Sequence, residues 1–294
     1  MTQADLTGVP ETALWTLHHR AAEAARPDTV LPDPRAVRLV AELDFPFRER
    51  LGAVRPWVAQ AIALRALGFD RVVRDFLATH PDGTVIALGE GLETQFWRVD
   101  NGRVRWVGVD LAGPLVLRER VLPHGPRQRL IACDVRATAW MADIDASRGV
   151  LVTAQGLLMY LQRAQAIRLL AACAGAFPGG TMVFDTVSRR FSARTRAGAK
   201  GPGGHRLPAM SWGMDAHERD LLRTAHPAIT EVADVPCRPA VAWSAISRRA
   251  PGPCRCSAAT ARSSPGFASG PVHAPEKLRH PLGDPLRTRI TDRA

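Results

Sequence analysis

No run of about 18 apolar residues occurs in this chain of 294 residues, so no segment reads as a membrane span. The first ten residues, Met1 to Pro10, carry Asp5 and lack the basic-then-apolar order of a secretory signal. Cysteine is scarce and odd in number: Cys133, Cys173, Cys237, Cys254 and Cys256. Scattered thiols of odd count make no disulfide framework and fit a reduced, cytoplasmic protein. Cys254 and Cys256 lie two apart with no second pair, which argues against a zinc site. Tyrosine occurs once, at Tyr160, and no internal repeat is present. A hydrophobic content of 46% is enough for one large domain, or for one domain with a helical cap.

Acidic residues are outnumbered, and the formal net charge of +11 invites a nucleic-acid reading. Its distribution speaks against one. Residues 248–294 hold nine basic and three acidic side chains, so more than half of the excess sits in the last 47 residues. That stretch is Arg, Ser, Pro, Ala and Gly in no periodic order, and it is expected to be disordered.

Residues 11–80 read as helical. Thr12 to Ala25 stops before Pro27, Asp33-Pro34 opens a helix through Leu43, and further stretches cover Pro56 to Phe69 and Asp70 to Ala78. The last ends at the turn His80-Pro81-Asp82-Gly83. Five short apolar runs follow: Thr84–Leu88, Val104–Asp110, Arg129–Val135, Gly149–Gln155 and Thr181–Val187. Their length and β-branched content are those of strands. Between them, Leu92–Asp100, Pro114–Val121 and Arg163–Ala176 can be helical. Alternation of this kind predicts an α/β fold, a mostly parallel sheet with helices on both faces. Residues 189–215 lack periodicity and are expected to be a mobile loop or lid. Ala216–Thr224 reads as a helix and Ala240–Ile246 as a strand, with nothing after Ser247 able to supply another. The expected organisation is therefore a helical cap over 1–80, an α/β domain over 81–247 and an atypical tail over 248–294.

Open α/β sheets bind ligands at the carboxyl ends of their strands, and four of these ends carry unusual residues. The first run ends in Gly89-Glu90-Gly91, where glycine permits a sharp turn and close approach of a ligand. The second ends in Asp110, 21 residues after Gly89, and a carboxylate there suits the two hydroxyls of a ribose. The third ends in Asp134-Val135, an acceptor for an adenine amino group beside an apolar side chain for the ring face. The fourth ends in Gln155-Gly156. Taken singly, a Gly-x-Gly is weak and Asp134 is most simply a helix cap; the ordered series is stronger than its parts. A dinucleotide fingerprint wants a third glycine where Thr94 stands, and Glu93 would repel a pyrophosphate at the turn. S-adenosylmethionine carries no phosphate, and its sulfonium and ammonium tolerate nearby acids such as Glu90 and Glu93. It is the expected cofactor.

The stretches ALRALGFDRVVRDFLATHP (63–81), TVIALGEGLETQFWRVD (84–100), VRWVGVDL (104–111), LVTAQGLLMYL (151–161), FPGGTMVFDTVS (177–188) and Trp212 to Asp215 resemble the leucine carboxyl methyltransferase-like family, in particular its bacterial polyketide O-methyltransferase branch. The resemblance covers roughly residues 10–245. It implies a class I methyltransferase fold, Rossmann-like, with an N-terminal helical cap. It also implies that Arg65, on the helix before the first strand, grips the carboxylate of the cofactor's methionine tail, as a guanidinium can; read alone, Arg65 is a solvated helix arginine. In that family the glycine turn usually continues Leu-Asp-Thr-Arg, and the fourth turn carries Glu. Here Glu93, Gln95 and Gln155 stand at those places, which removes one charge pair.

Methyl transfer from a sulfonium is an in-line displacement in which alignment is the main task. A carboxylate acceptor needs no base, whereas a phenol benefits from one. Tyr160 borders the acceptor pocket or packs in the core. His18, His19 and His205 are possible bases, each more simply a surface histidine, and Met159 and the tryptophans are core. The expected activity is O-methylation of a carboxylate or phenol on a small-molecule, polyketide-like acceptor, with no metal and no membrane partner. Two other readings stay open: a catalytically inactive family member acting as a binding protein, from the departures at 93, 95 and 155 and from the tail, and a basic nucleic-acid-binding protein, from the tail charge alone.

Overall fold

A computed structural model of the chain describes residues 11–200, 207–235 and 256–260. Four helices come first: α1 (Glu11–Ala24), α2 (Pro34–Glu42), α3 (Phe47–Leu51) and α4 (Pro56–Thr79). Asp33 caps α2 by accepting from the Ala36 amide at 3.0 Å, and Pro34 fills the first turn, where no amide donor is needed. Leu14, Leu17 and Ala21 recur at helical spacing on α1 and bury against Leu39, Phe47 and Leu51, so α1 to α3 share a core of their own. That core also takes in Leu92 from the loop after the first strand and Leu117 from a later helix.

The α4 helix is one rod of 24 residues, not the two shorter stretches read from sequence. Gly68 lies inside it and is buried, and no proline follows to break the ladder. Phe69, Val73 and Leu77 on α4 pack directly on the sheet. The helix thus bridges the two groups, packing on the sheet through these residues and on α1 along the same rod.

The sheet is built from β1 (Thr84–Leu88), β2 (Arg105–Asp110), β3 (Gln128–Ala132), β4 (Val150–Ala154), β5 (Thr181–Asp185), β6 (Glu231–Val235) and β7 (Cys256–Thr260). Among the described residues their order is β3-β2-β1-β4-β5-β7-β6. The first five are parallel, and β7 runs antiparallel to both β5 and β6. Helices α5 (Gln95–Val99), α6 (Ala112–Val121) and α7 (Arg163–Ala176) connect the parallel strands, together with a 3-10 segment at Thr138–Asp143. Alternate residues of each strand face opposite layers. Val85 and Ala87 meet α4 and α5, while Ile86 and Leu88 share a core with Trp140 and Leu169.

Three expectations are corrected. First, residues 189–215 are not an aperiodic loop throughout. Ser188 caps a helix, α8 (Arg189–Arg196), through the Phe191 amide, and Trp212 and Met214 are buried. The Trp212 amide donates to Met159 O at 3.0 Å, and a Cβ on Gly213 would meet Ser188 O at 2.6 Å, so the glycine is what lets this segment lie down. Second, β6 was not read from sequence, and the segment read as a helix from Ala216 is a 3-10 run, Ala216–Ala225. Third, β7 lies inside the tail expected to be disordered and supplies a strand beyond Ser247. The expected strand at 240–246 and the rest of the tail lie outside the described residues. No described helix is long and apolar enough to cross a membrane.

Candidate functional site

The carboxyl ends of β1, β2, β4 and β5 are joined by a continuous set of polar contacts. Gly89 and Gly91 adopt φ of 64° and 47°, in the left-handed region that a side chain disfavours. The Gly91 amide donates to Asp110 Oδ2 at 2.8 Å, and the Leu111 amide to Oδ1 at 2.7 Å. Asp110 therefore braces the glycine turn from the end of β2, and each oxygen keeps acceptor capacity for a further donor. Burial raises the Asp110 carboxyl, and these two amides oppose the shift.

Glu90 takes a different direction from the one expected. Its side chain is buried behind β2, where Oε1 accepts from Trp106 Nε1 at 2.9 Å and from Arg118 Nη2 at 2.7 Å. Burial pushes this carboxyl above the ordinary range, against the pull of Arg118 and of the indole. Arg118 also donates to the carbonyls of Gly91 at 2.9 Å and Glu93 at 2.7 Å, so this one buried guanidinium pins the whole turn.

Glu93 accepts from Arg20 Nη1 and from Arg98 Nη1, each at 2.8 Å. Burial disfavours its charge, but the two arginines outweigh that and bring the carboxyl down to about 2. Glu93 is thus paired, with Arg20 and Arg98 and not with Gln95. Gln95 Nε2 donates to Asp70 Oδ1 at 3.1 Å, while Arg98 takes Asp70 with Nε and Nη2 and also reaches Asp33 and Glu93. Arg20 and Asp33 tie α1 and α2 into the same network.

At the end of β4, Gln155 Nε2 donates to Glu93 Oε2 at 3.2 Å, and its Oε1 is buried without a partner. Gly156 has φ of 68°, and a Cβ there would come within 3.4 Å of Arg65 Nη1, which lies across the turn. The Gly156 amide donates to Asp185 Oδ1 at 2.5 Å, and Arg65 Nη1 donates to Asp185 Oδ2 at 3.2 Å. Tyr160 is half-buried beside them; burial raises its phenol, with Arg65 opposing and Asp185 adding to the shift.

Asp134 and Val135 follow β3, next to Asp110, whose carbonyl accepts from the Cys133 amide at 2.8 Å. Asp134 makes a turn rather than a helix cap. Its Oδ1 accepts from the Arg136 amide at 2.9 Å, and the Arg136 guanidinium closes on both oxygens. Val135 is buried in the core with Trp140. His18 stacks on Phe47, and burial lowers its pKa. His19 is 2% exposed, not a surface residue, and its Nδ1 lies 3.0 Å from Trp15 O. His205 lies outside the described residues.

Sequence reasoning missed Asp185, Asp70, Arg20, Arg98 and Arg118. The available signal for Asp185 was a carboxylate inside an otherwise apolar strand run. The arginines had none, because a buried and a solvated helix arginine look alike in sequence.

These residues fit S-adenosylmethionine. The turns at Gly89, Gly91 and Gly156 leave backbone without side chains, the Asp110 oxygens can accept hydroxyls, and a buried amide oxygen at Gln155 lacks a donor. A dinucleotide fits poorly, since the ionised Glu93 stands at the turn and α5 is only five residues long.

Fold and site together define a class I, S-adenosylmethionine-dependent methyltransferase. The family model for leucine carboxyl methyltransferase matches residues 13–174. The tetracenomycin polyketide synthesis O-methyltransferase TcmP of Streptomyces glaucescens is 34% identical over 183 residues, which is 62% of this chain and 67% of that protein. The S-adenosyl-L-methionine-dependent methyltransferase dpfgK of Gibberella zeae is 29% identical over 180 residues, 56% of this chain and 60% of that one. The chain thus spans about two thirds or less of these relatives. A solved structure of a DUF574 family protein from Streptomyces avermitilis shares the fold, with a TM-score of 0.50 at 14% identity, covering 84% of this chain and 97% of that one. The chain belongs to the leucine carboxyl methyltransferase family.

Proposed function

We propose that the chain methylates an oxygen, a carboxylate or an acidic phenol, on a small-molecule, polyketide-like acceptor. The observation that carries this reading is the linked set of strand-end turns, Asp110 to Gly91, Glu93 to Gln155 and Gly156 to Asp185 and Arg65. A carboxylate acceptor needs no base, and the raised phenol of Tyr160 is a poor one. The resemblance to an O-methyltransferase of polyketide synthesis supports the acceptor class.

In this reading Asp110 holds the ribose hydroxyls, Arg65 the tail carboxylate, and Asp134 with Val135 the adenine. The turns Gly89-Glu90-Gly91 and Gln155-Gly156 supply backbone groups. When bound, the cofactor supplies an electrophilic methyl group. The chain's own task is to orient the acceptor oxygen toward it and exclude water. Helices α1 to α3 form the cap, and the segment from Trp212 borders the acceptor beside Tyr160. A cytoplasmic location suits the free thiols of Cys133 and Cys173.

The test is turnover of the full chain with S-adenosylmethionine and aromatic acceptors bearing a carboxylate, a phenol or an amine. Demethylated cofactor should accumulate with the oxygen acceptors, and the product should gain one methylene in mass. Turnover restricted to amines would reject the acceptor class. Cofactor binding without any turnover would favour a binding role.

A further inference from the structure

Asp185 is a buried carboxylate at the last position of an interior strand, 4% exposed. Its register follows Ala154↔Phe184, which sets it beside the Gln155-Gly156 turn. A buried charge is costly unless donors compensate it. Here one oxygen takes the Gly156 amide at 2.5 Å and the other takes Arg65 Nη1 at 3.2 Å. The fold alone does not call for this arrangement, since the other three residues of β5 after Thr181 are apolar and pack in the core. What Asp185 does is join α4, the β4 turn and the end of β5 at one point.

We propose that Asp185 is a positioning residue: it fixes the Arg65 guanidinium against the Gly156 turn and so makes the amino-acid end of the cofactor site. The proposal rests on the reading of Arg65 given above. It gives the two oxygens separate duties. Oδ1 holds the turn amide in its left-handed geometry, and Oδ2 sets the angle at which the guanidinium meets a carboxylate. A bidentate match requires that angle.

Asp185→Asn tests it. An amide has one oxygen and one NH2, so whichever way it lies, one of the two donors faces another donor. The turn amide or the guanidinium must move. Removing the negative charge would by itself favour a carboxylate ligand near Arg65. A selective loss of tail binding is therefore a result that only positioning produces.

The measurement is calorimetric titration of the folded full chain with S-adenosylhomocysteine, which has the amino-acid tail, and 5′-methylthioadenosine, which lacks it. Asp185→Asn should weaken the first about tenfold or more and leave the second unchanged. If the asparagine variant does not fold, Asp185→Glu gives the same readout, because it keeps the charge and displaces the guanidinium by one methylene. Unchanged or tighter binding of S-adenosylhomocysteine overturns the proposal. Equal loss for both ligands overturns it too, since Asp185 would then support the whole site and not its tail end. Arg65→Ala in parallel separates the two claims. If it leaves the ratio of the two affinities unchanged, the Arg65 reading fails; if it shifts the ratio and Asp185→Asn does not, only the Asp185 proposal falls.

Discussion

Replacing Arg118 with Met removes the cation from a fully enclosed site while keeping the length of the side chain. Arg118 and Glu90 are 3% and 1% exposed and 2.7 Å apart, so water cannot replace the lost partner. Breaking a buried pair on one side costs about 3–5 kcal/mol. The carbonyls of Gly91 and Glu93 lose their donor as well, which places the loss at the upper end of that range. At about 2–4 °C per kcal/mol for a domain of this size, the melting temperature should fall by roughly 10–20 °C. The deficit should also depend on pH. Burial already holds the Glu90 carboxyl high, and Arg118 is the main influence that brings it back down. Without Arg118 the folded-state pKa climbs further above the unfolded one. The folded state then keeps a proton that the unfolded state releases, so stability falls as pH rises through that interval. Urea unfolding of parent and variant at about pH 5.5 and 7.5 measures both effects, the deficit being larger at the higher pH. Adding Glu90→Gln to the variant should recover part of the loss, because no buried charge then lacks its partner. A deficit below about 1 kcal/mol, or one that is equal at the two pH values, would refute this account of the turn.

Asp110→Ala should weaken S-adenosylhomocysteine binding about ten- to hundredfold by calorimetry; unchanged affinity in a folded variant removes Asp110 from the site. Gln155→Glu sets a second carboxylate beside the ionised Glu93, where the amide now donates at 3.2 Å. Its new carboxyl should titrate above the usual range, so the variant should lose stability relative to the parent as pH rises from about 5 to 8, and a pH-independent difference counts against it. Gly108→Ala would bring a Cβ to 2.1 Å from Glu90 Oε2 and 2.8 Å from Leu130 Cδ2. Overpacking of this kind should cost about 1–3 kcal/mol in chemical denaturation, and a variant as stable as the parent shows that Glu90 has room to move.

The parallel half of the sheet was legible because each buried strand is an apolar run closed by a residue unlike the rest. The antiparallel edge was not. β6 carries Glu231 and Asp234, as a partly solvated edge strand does, and so lacks an apolar signature. The β7 segment, Cys-Ser-Ala-Ala-Thr, has one β-branched residue in five and sits among prolines. Its neighbours β5 and β6, not its own propensity, account for it. Asp185 was hidden differently: reading Thr181 to Val187 as one apolar run passed over the acid near its centre.

The departures at 93, 95 and 155 show why position-by-position reading misjudges a site. Gln95 in place of an arginine looks like a missing cation. Arg98 lies three residues further along the same short helix, and residues three apart share a helix face. From there its guanidinium reaches Asp70, Asp33 and Glu93 together. The longer acid at Glu93 reaches Gln155, and the amide there makes a hydrogen bond where a second carboxylate would repel. In this chain the three positions fit one another: Arg98 meets the Glu93 carboxylate, Gln95 meets Asp70, and Gln155 faces Glu93 as a donor. The prediction for Gln155→Glu follows directly, since it restores the usual residue at one position while leaving the other two as they are.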